Sequence, residues 1–445
     1  MTSERAITAQ RRFGYGVVPD APARVVRDPL GYAIGQLNDY EYKDRSGLES
    51  SSALLTRFKV MQRSRRESDS ADAFKAAGAL VKGQMQQETG YRFKTAVQSG
   101  KPLVERLVSF WSDHFCVSCV KGPQVRLIAG AYEREAIRPH VTGRFRDMLG
   151  AVMHHPAMLI YLDNTSSVGP DSPKGRKFNQ GLNENLGREL LELHTVGVDA
   201  GYSQTDVTEA ARIITGWTYN SSPGDETGHF LFDARSHQPG QFTVMGVVFD
   251  QNGEAQGDAL LDMLAAHPST ARHIAGKLVH YFVGDNAAPA LTDAVAQRFS
   301  ETDGDLKETM IALLQRAESW DAPAAKVLPP FDMLVAFSRL IGVKLKNEEV
   351  IAMSRSLGQP LWEPRSPAGF PKGDDDWATS GAMVGRLKLA MNMARQSDLQ
   401  DDPMGLANAA LGRNVTQPLE DAISRAATRP EATAMLLLSP QIQLR

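Results

Sequence analysis

A chain of 445 residues with 42% hydrophobic and 23% charged side chains has the composition of a globular protein and excludes disordered and fibrous classes. Its 49 Lys and Arg against 52 Asp and Glu leave a formal net charge of -3, so no global field draws it to nucleic acid or to an anionic membrane. No apolar run reaches the roughly 20 residues of a membrane span. Arg11 and Arg12 are not followed by the apolar stretch of a secretory or twin-arginine signal, so the chain as written is expected in the cytoplasm. The length prior suggests roughly three domain-sized units, yet helical chains grow around one extended core. Residues 1–445 are therefore expected to form a single large helical domain.

Helical periodicity begins with Leu103, Leu107, Phe110, Trp111, His114 and Phe115, whose spacing paints one apolar stripe on a core-facing helix. Next comes Cys116-Val-Ser-Cys119, which suits a redox pair or half a zinc site but lacks a second pair. Two small buried hydrophobes is the simpler reading. A second helix runs through Tyr132, Glu133, Arg134, Glu135 and Arg138 to the stop at Pro139, and a third from Phe145 to about Met153, before His155-Pro156. Residues 164–180, rich in Ser, Gly, Pro and Lys, read as a long surface loop suited to serve as a lid.

Between 229 and 250 the pattern changes to HFLF, a polar turn and FTVMGVVF, which predicts two strands in one hairpin inserted among helices. Helices resume through 260–266, 269–283, 306–316, 330–341 and 382–394. Residues 358–377, with four prolines, three glycines and two tryptophans, predict an irregular segment held down by its aromatics. The fold class is mainly α, a multi-helix bundle-like core with one small β-hairpin insertion.

All ten histidines fall between His114 and His280, and both cysteines lie in the same interval. Its densest polar cluster is Asn183 to His194. On a helical wheel Asn185, Arg188, Glu189 and Glu192 fall within an arc of about 100°, Leu186, Leu190 and Leu193 fill the next sector, and His194 points away from Glu192. Leucines on both sides of His194 predict a helix buried nearly all round, so its carboxylates must be paired, protonated, metal-bound or facing a cleft. In one reading Glu189 and Glu192 accept hydrogen bonds from Arg188 or Arg212 and merely fix helix docking. In the other they are a general base or metal ligands, Arg188 binds an anion, and Asn183 or Asn185 orients substrate. A di-iron bundle is disfavoured, because Glu192 and His194 are two apart where Glu-x-x-His is needed.

Ser203 is placed as the N-cap of the next helix with Asp206 completing a capping box, and Glu209 and Arg212 as an intrahelical pair before Gly216 and Trp217. His273, Lys277 and His280 share a helical face, which reads as solvated. His114 reads as a hydrogen-bonded core histidine. His154, His155, Asp163 and Asn164 are within reach of a cleft, and His237 is expected exposed at the hairpin turn. No Walker loop, GxGxxG, HExxH or GxSxG is present.

The strings FWSDHF, YEREAIRPHVTGRFRDML, HHPAMLIYLDN, GLNENLGRELLELHTVGVDAGYSQTDVTEAARIITGWT and GQPLWEPRSPAGF resemble the bacterial domain of unknown function 1800 family, over nearly the whole chain. The resemblance implies a bacterial origin and a mostly helical architecture. It also implies genomic company with a sulfatase-like family, number 1501, as a partner, and an exported or periplasmic location as the alternative to the cytoplasm. His114, Asp163, Asn164, Asn183, Glu184, Asn185, Arg188, Glu189, Glu192, His194, Asp206, Glu209, Arg212 and Trp217 stand where the family's strings have them. Cys116 and Cys119 do not, and Gln238 follows His237 where an acidic residue is usual.

Two functions are therefore carried forward. One is a hydrolase or metal-assisted enzyme with Glu189, Glu192, Arg188, Asn183, Asn185, His194, Asp163 and His114 as candidate catalytic residues, no bound organic cofactor, and a divalent metal compatible with the carboxylates. The other is a binding or assembly module for the sulfatase-like partner.

Overall fold

A computed structural model describes residues 4–68, 71–222, 224, 226–397 and 402–445. It is mainly α, with two antiparallel two-stranded sheets, each a small hairpin, among the described helices. The Pro102–His114 helix carries the predicted stripe but goes further, burying Val104, Glu105, Arg106 and Val108 as well. Burying every side of a helix leaves its charges in a poor dielectric, so each needs a partner. Glu105 pairs with Arg138 at 3.0 Å and Arg106 with Asp332 at 2.9 Å.

The second expected helix is composite. The Pro123–Tyr132 helix passes into a π turn, Glu133–Ile137, and a 3₁₀ turn, Arg138–His140, at the predicted proline stop. A π turn takes an extra residue per turn and re-aims the side chains it contains. Here Glu133 lies between Arg92 at 2.7 Å and Arg138 at 3.2 Å, and Arg134 reaches Glu88 at 2.8 Å and Asp44 at 2.6 Å. The third helix, Phe145–His154, ends where expected; His155 then caps Pro156–Tyr161, its Nδ1 accepting from the Ala157 amide at 3.1 Å.

The 164–180 segment is more ordered than a plain loop. It holds a 3₁₀ turn at Asn164–Ser166 and a short helix, Pro173–Phe178, capped by the Ser172 hydroxyl. It is stitched to the 235–238 turn: the Gly169 amide donates to the Ser236 carbonyl at 2.8 Å, the Lys174 amide to that of Arg235 at 2.9 Å, and the Asp171 amide to Gln238 Oε1 at 3.0 Å.

The strand pairing differs from the sequence expectation. Phe230–Phe232 pairs with Trp217–Tyr219, and Phe242–Val244 pairs with Val247–Phe249, so FTVMGVVF is a hairpin by itself. Met245 and Gly246 both adopt positive φ, 51° and 80°, the geometry that a tight two-residue hairpin turn requires. The Met245 amide donates to Asp206 Oδ1 at 2.6 Å, pinning that turn to the preceding Gln204–Ile213 helix. His237 is accordingly not an exposed turn residue: it is half-buried, and its Nδ1 meets the Thr215 carbonyl at 3.0 Å.

Residues 358–377 form the expected irregular segment, ending in the short helix Asp374–Trp377, with Leu361, Trp362 and Trp377 buried. Its backbone clamps the end of the Pro102–His114 helix and the residues after it. The Cys119 amide donates to the Trp362 carbonyl at 2.7 Å, the Ser118 hydroxyl to that of Pro364 at 2.8 Å, and the Phe370 amide to Asp113 Oδ1 at 2.9 Å. Gly369 is required there. Its φ is 85°, and a Cβ would lie 2.6 Å from Asp113 Oδ1.

Candidate functional site

The 183–194 segment folds as a short α-helix, Asn185–Glu189, continued by a second π turn, Leu190–His194. Leu186, Leu190, Leu191 and His194 are buried, but Glu189, Glu192 and Leu193 are only half-buried. The expectation of burial nearly all round thus holds for one side only. A wheel turned at 100° per residue over-rotates through a π turn, which advances less per residue, so Leu193 leaves the leucine sector. Gly187 lets this segment approach Gln204–Ile213 closely, since a Cβ there would sit 2.8 Å from the Ala211 amide nitrogen. The Ser203–Asp206 capping box and the Glu209–Arg212 pair, at 2.5 Å, form as predicted.

The arginines do not close over the two carboxylates. Arg188 donates to Glu184 at 3.1 Å and to the Gln204 side-chain oxygen at 3.0 Å, while Arg212 is taken by Glu209. Glu184 also accepts from Thr208 at 2.7 Å and Gln204 at 2.8 Å; the Thr208 bond, foremost, holds its carboxyl below the usual range. Glu192 has only the Tyr202 hydroxyl, at 3.4 Å, and Glu189 has no hydrogen-bond or ion-pair partner among the described residues. Partial burial, with the Glu192 charge beside it and Arg188 opposing, pushes Glu189 up to about 7. Asn183 Oδ1 accepts from the Asn185 amide at 3.0 Å, and its backbone is tied to Ser167. Asn185 is exposed.

Two further candidates lie elsewhere. Asp163, at φ 59°, pairs with Lys121 at 2.5 Å near the surface. Asn164 is buried and donates to the Ile214 and Trp217 carbonyls at 3.1 and 2.8 Å.

On the opposite side of the π turn, the polar groups are histidines. A helix end leaves carbonyls without intrahelical donors. Here His273 Nε2 meets the Leu193 carbonyl and His114 Nε2 that of His194, both at 3.2 Å. Lys277 Nζ donates to His114 Nδ1 at 2.9 Å, which fixes His114 as the Nε2-H tautomer. The 273, 277, 280 face is therefore not a solvated one. All three side chains are half-buried and turned to polar partners, His280 Nε2 reaching the Lys372 carbonyl at 3.3 Å. Burial is the main cause of every shift in the group: it lowers His114 well below its usual value, His194 to about 3, His273 to about 4 and Lys277 to about 8. The imidazoles are neutral at pH 7, and the lysine is largely charged.

Lys277 opens onto a cavity of about 210 Å³ between the Pro102–His114 and Pro268–Phe282 helices, the 326–332 stretch and the 359–377 segment. Of the eight candidate residues read from sequence, His114 alone lines it; Glu189 and Glu192 lie outside its lining, as does all of 164–180. The residues that sequence reasoning missed are Lys277, Lys372, Arg92 and Asp113. Asp113 sits inside the FWSDHF string, and the i, i+4, i+7 polar face of 273, 277 and 280 was the available signal for the lysine.

Cys116 and Cys119 are buried free thiols, both pushed up to about 12 by burial, so neither is a ready thiolate; Cys116 donates to the Pro367 carbonyl at 3.2 Å. Among the described residues no three His, Cys, Asp or Glu side chains converge as a metal site would require. No described helix is long and apolar enough to cross a membrane.

A family model matches residues 8–444. The chain belongs to the family described as Protein of unknown function (DUF1800). No curated protein and no solved structure matches it. The family match spans both the carboxylate face and the histidine–lysine face, so it favours neither as the working site.

Proposed function

We propose that the chain is a hydrolytic enzyme in which Glu189 is the general acid–base group. The observation that carries this reading is the isolation of Glu189: it is half-buried beside Glu192, while the two candidate cations, Arg188 and Arg212, are committed to Glu184 and Glu209. A carboxyl titrating near neutrality exists in both protonation states at working pH, as an acid–base catalyst needs. Ionised Glu189 would take a proton from an attacking water and return it to the leaving group. Burial and the Glu192 charge keep that carboxyl basic, and the Glu184–Arg188–Gln204 cluster keeps a guanidinium off it. Asn185, exposed on the same face, is the residue placed to contact substrate, with Asn183 holding its turn. A divalent metal would have to be gathered by substrate together with these carboxylates, since the side chains do not preform a site.

The test is a screen of ester, amide and glycoside substrates with the wild type and Glu189→Gln. The variant is expected to lose about 100-fold or more in rate at unchanged fold, and the Glu189 carboxyl carbon to titrate near 7 by NMR. Undiminished hydrolysis by Glu189→Gln removes the proposal.

A second reading, a non-catalytic assembly module for a sulfatase-like partner, is favoured by Met383, Val384 and Leu387, which are exposed together on the Ser380–Gln396 helix. It predicts that Met383→Lys with Leu387→Lys abolishes co-purification of the two proteins while Glu189→Gln does not.

A further inference from the structure

We infer that the cavity beside Lys277 is a binding site for a small organic carboxylate with a flat apolar body, its carboxylate held by Lys277 Nζ. This is independent of whether Glu189 is catalytic, since neither Glu189 nor Glu192 lines the cavity.

The charge pattern of the wall carries the argument. Every other cation on it has a carboxylate: Arg92 has Glu133 at 2.7 Å, Lys326 has Asp285 at 3.0 Å, Lys372 has Asp113, and Arg445 shares Asp332 with Arg106. Lys277 has none among the described residues. Its hydrogen bond goes to His114 Nδ1, an acceptor on a neutral ring that contributes no negative charge. An ammonium removed from water without a counter-charge is costly, and the molecule retains it where its proton is still mostly held at pH 7. An anion entering the cavity supplies what the wall omits. Lys277 has two further N–H bonds to give, enough for one carboxylate.

The rest of the lining selects the body of the ligand. Phe110, Tyr281, Phe331, Leu361, Phe370 and Trp377 make the walls apolar and largely aromatic. The Arg92 guanidinium is spent on Glu133 and stacked over the Phe331 and Trp362 rings at 5.1 and 5.4 Å, so it stiffens the wall without competing for the ligand head. About 210 Å³ suits a single small molecule, and burial between two helices and a clamped segment excludes a polymer strand. A free inorganic anion would leave the aromatic walls unused.

The experiment is isothermal titration of the full chain with benzoate, benzamide and inorganic phosphate. Benzoate is expected to bind at least about ten-fold more tightly than benzamide, which matches it in shape without the charge, because a charge-assisted bond to a buried ammonium is worth that much. Phosphate is expected to bind more weakly than benzoate. Lys277→Gln, which keeps a donor for His114 Nδ1 and loses the charge, should erase the difference between benzoate and benzamide. Equal binding of benzoate and benzamide by the wild type overturns the proposal without any variant. So does phosphate binding as well as benzoate, benzoate failing to bind at millimolar concentration, or a folded Lys277→Gln protein that still prefers benzoate.

Discussion

The two sides of the Leu190–His194 turn make opposite use of their polar groups. On one side Glu189 and Glu192 lie half-buried together, with the nearby arginines drawn off to Glu184 and Glu209. On the other, Leu193 and His194 offer backbone carbonyls to His273 and His114, and the charge brought up beside His114 is Lys277. Burial, reinforced by the Glu192 charge, raises the Glu189 carboxyl, and burial without a counter-charge lowers the Lys277 ammonium, so both faces are tuned toward neutrality from opposite directions. Around Glu133 and Arg138, by contrast, each buried charge meets an opposite one.

The largest expected difference between the faces is in stability. His114→Ala removes the donor to the His194 carbonyl and the acceptor for Lys277 inside the core, and should cost about 3 kcal/mol or more. Asn185→Ala on the exposed carboxylate face should stay within about 0.5 kcal/mol. Urea unfolding at pH 7 checks both, and equal losses would erase the distinction drawn between a built core and an open face.

Stability against pH sharpens the comparison, because the two groups predict opposite slopes. Lys277 falls from 10.5 to about 8 on folding, so between those values the native state holds fewer protons than the unfolded one, and stability rises with pH. The groups packed about Lys277 are His114, His194, His273 and Cys116, of which the three imidazoles titrate well below that window and the thiol at about 12. Measured as wild type minus Lys277→Met, the gain from pH 7 to 10 should reach roughly 2 kcal/mol.

Glu189 rises from 4.5 to about 7, so the native state there holds more protons than the unfolded one, and stability falls as pH climbs through that window. Wild type minus Glu189→Gln should decline by on the order of 1 kcal/mol between pH 4.5 and 7, reduced from the full shift because solvent reaches the carboxyl. A flat difference curve would mean that neither burial nor the Glu192 charge raises this carboxyl. The smallest effect concerns the thiols. Alkylation of native protein by iodoacetamide at pH 7 should be far slower than of urea-unfolded protein, with little change in activity or stability before the chain opens.

Much of this architecture is legible in the residues themselves. The apolar stripe from Leu103 to Phe115, the proline stops at Pro139 and Pro156 and the Ser203–Asp206 capping box rest on residues a few positions apart, where sequence spacing equals spatial spacing; the irregular course of 358–377 follows from its own prolines and glycines, while its clamp on residues 113–119 is long-range. The grouping of Asn185, Arg188, Glu189 and Glu192 on one face was readable for the same reason, as was the turn of His194 away from them.

Only the tertiary structure decided which charges meet. Arg188 has several carboxylates within reach along the sequence, and its choice of Glu184 depends on Gln204 and Thr208 arriving from the next helix. Trp217–Tyr219 won the Phe230–Phe232 strand because Met245 and Gly246 let Phe242–Phe249 close on itself. Lys277 and His114, 163 residues apart, become neighbours through helix packing, which no local periodicity encodes. Secondary structure follows from short-range sterics and burial patterns that a sequence displays. The partnership of buried polar groups is set by long-range packing, and that is where both candidate sites of this protein are made.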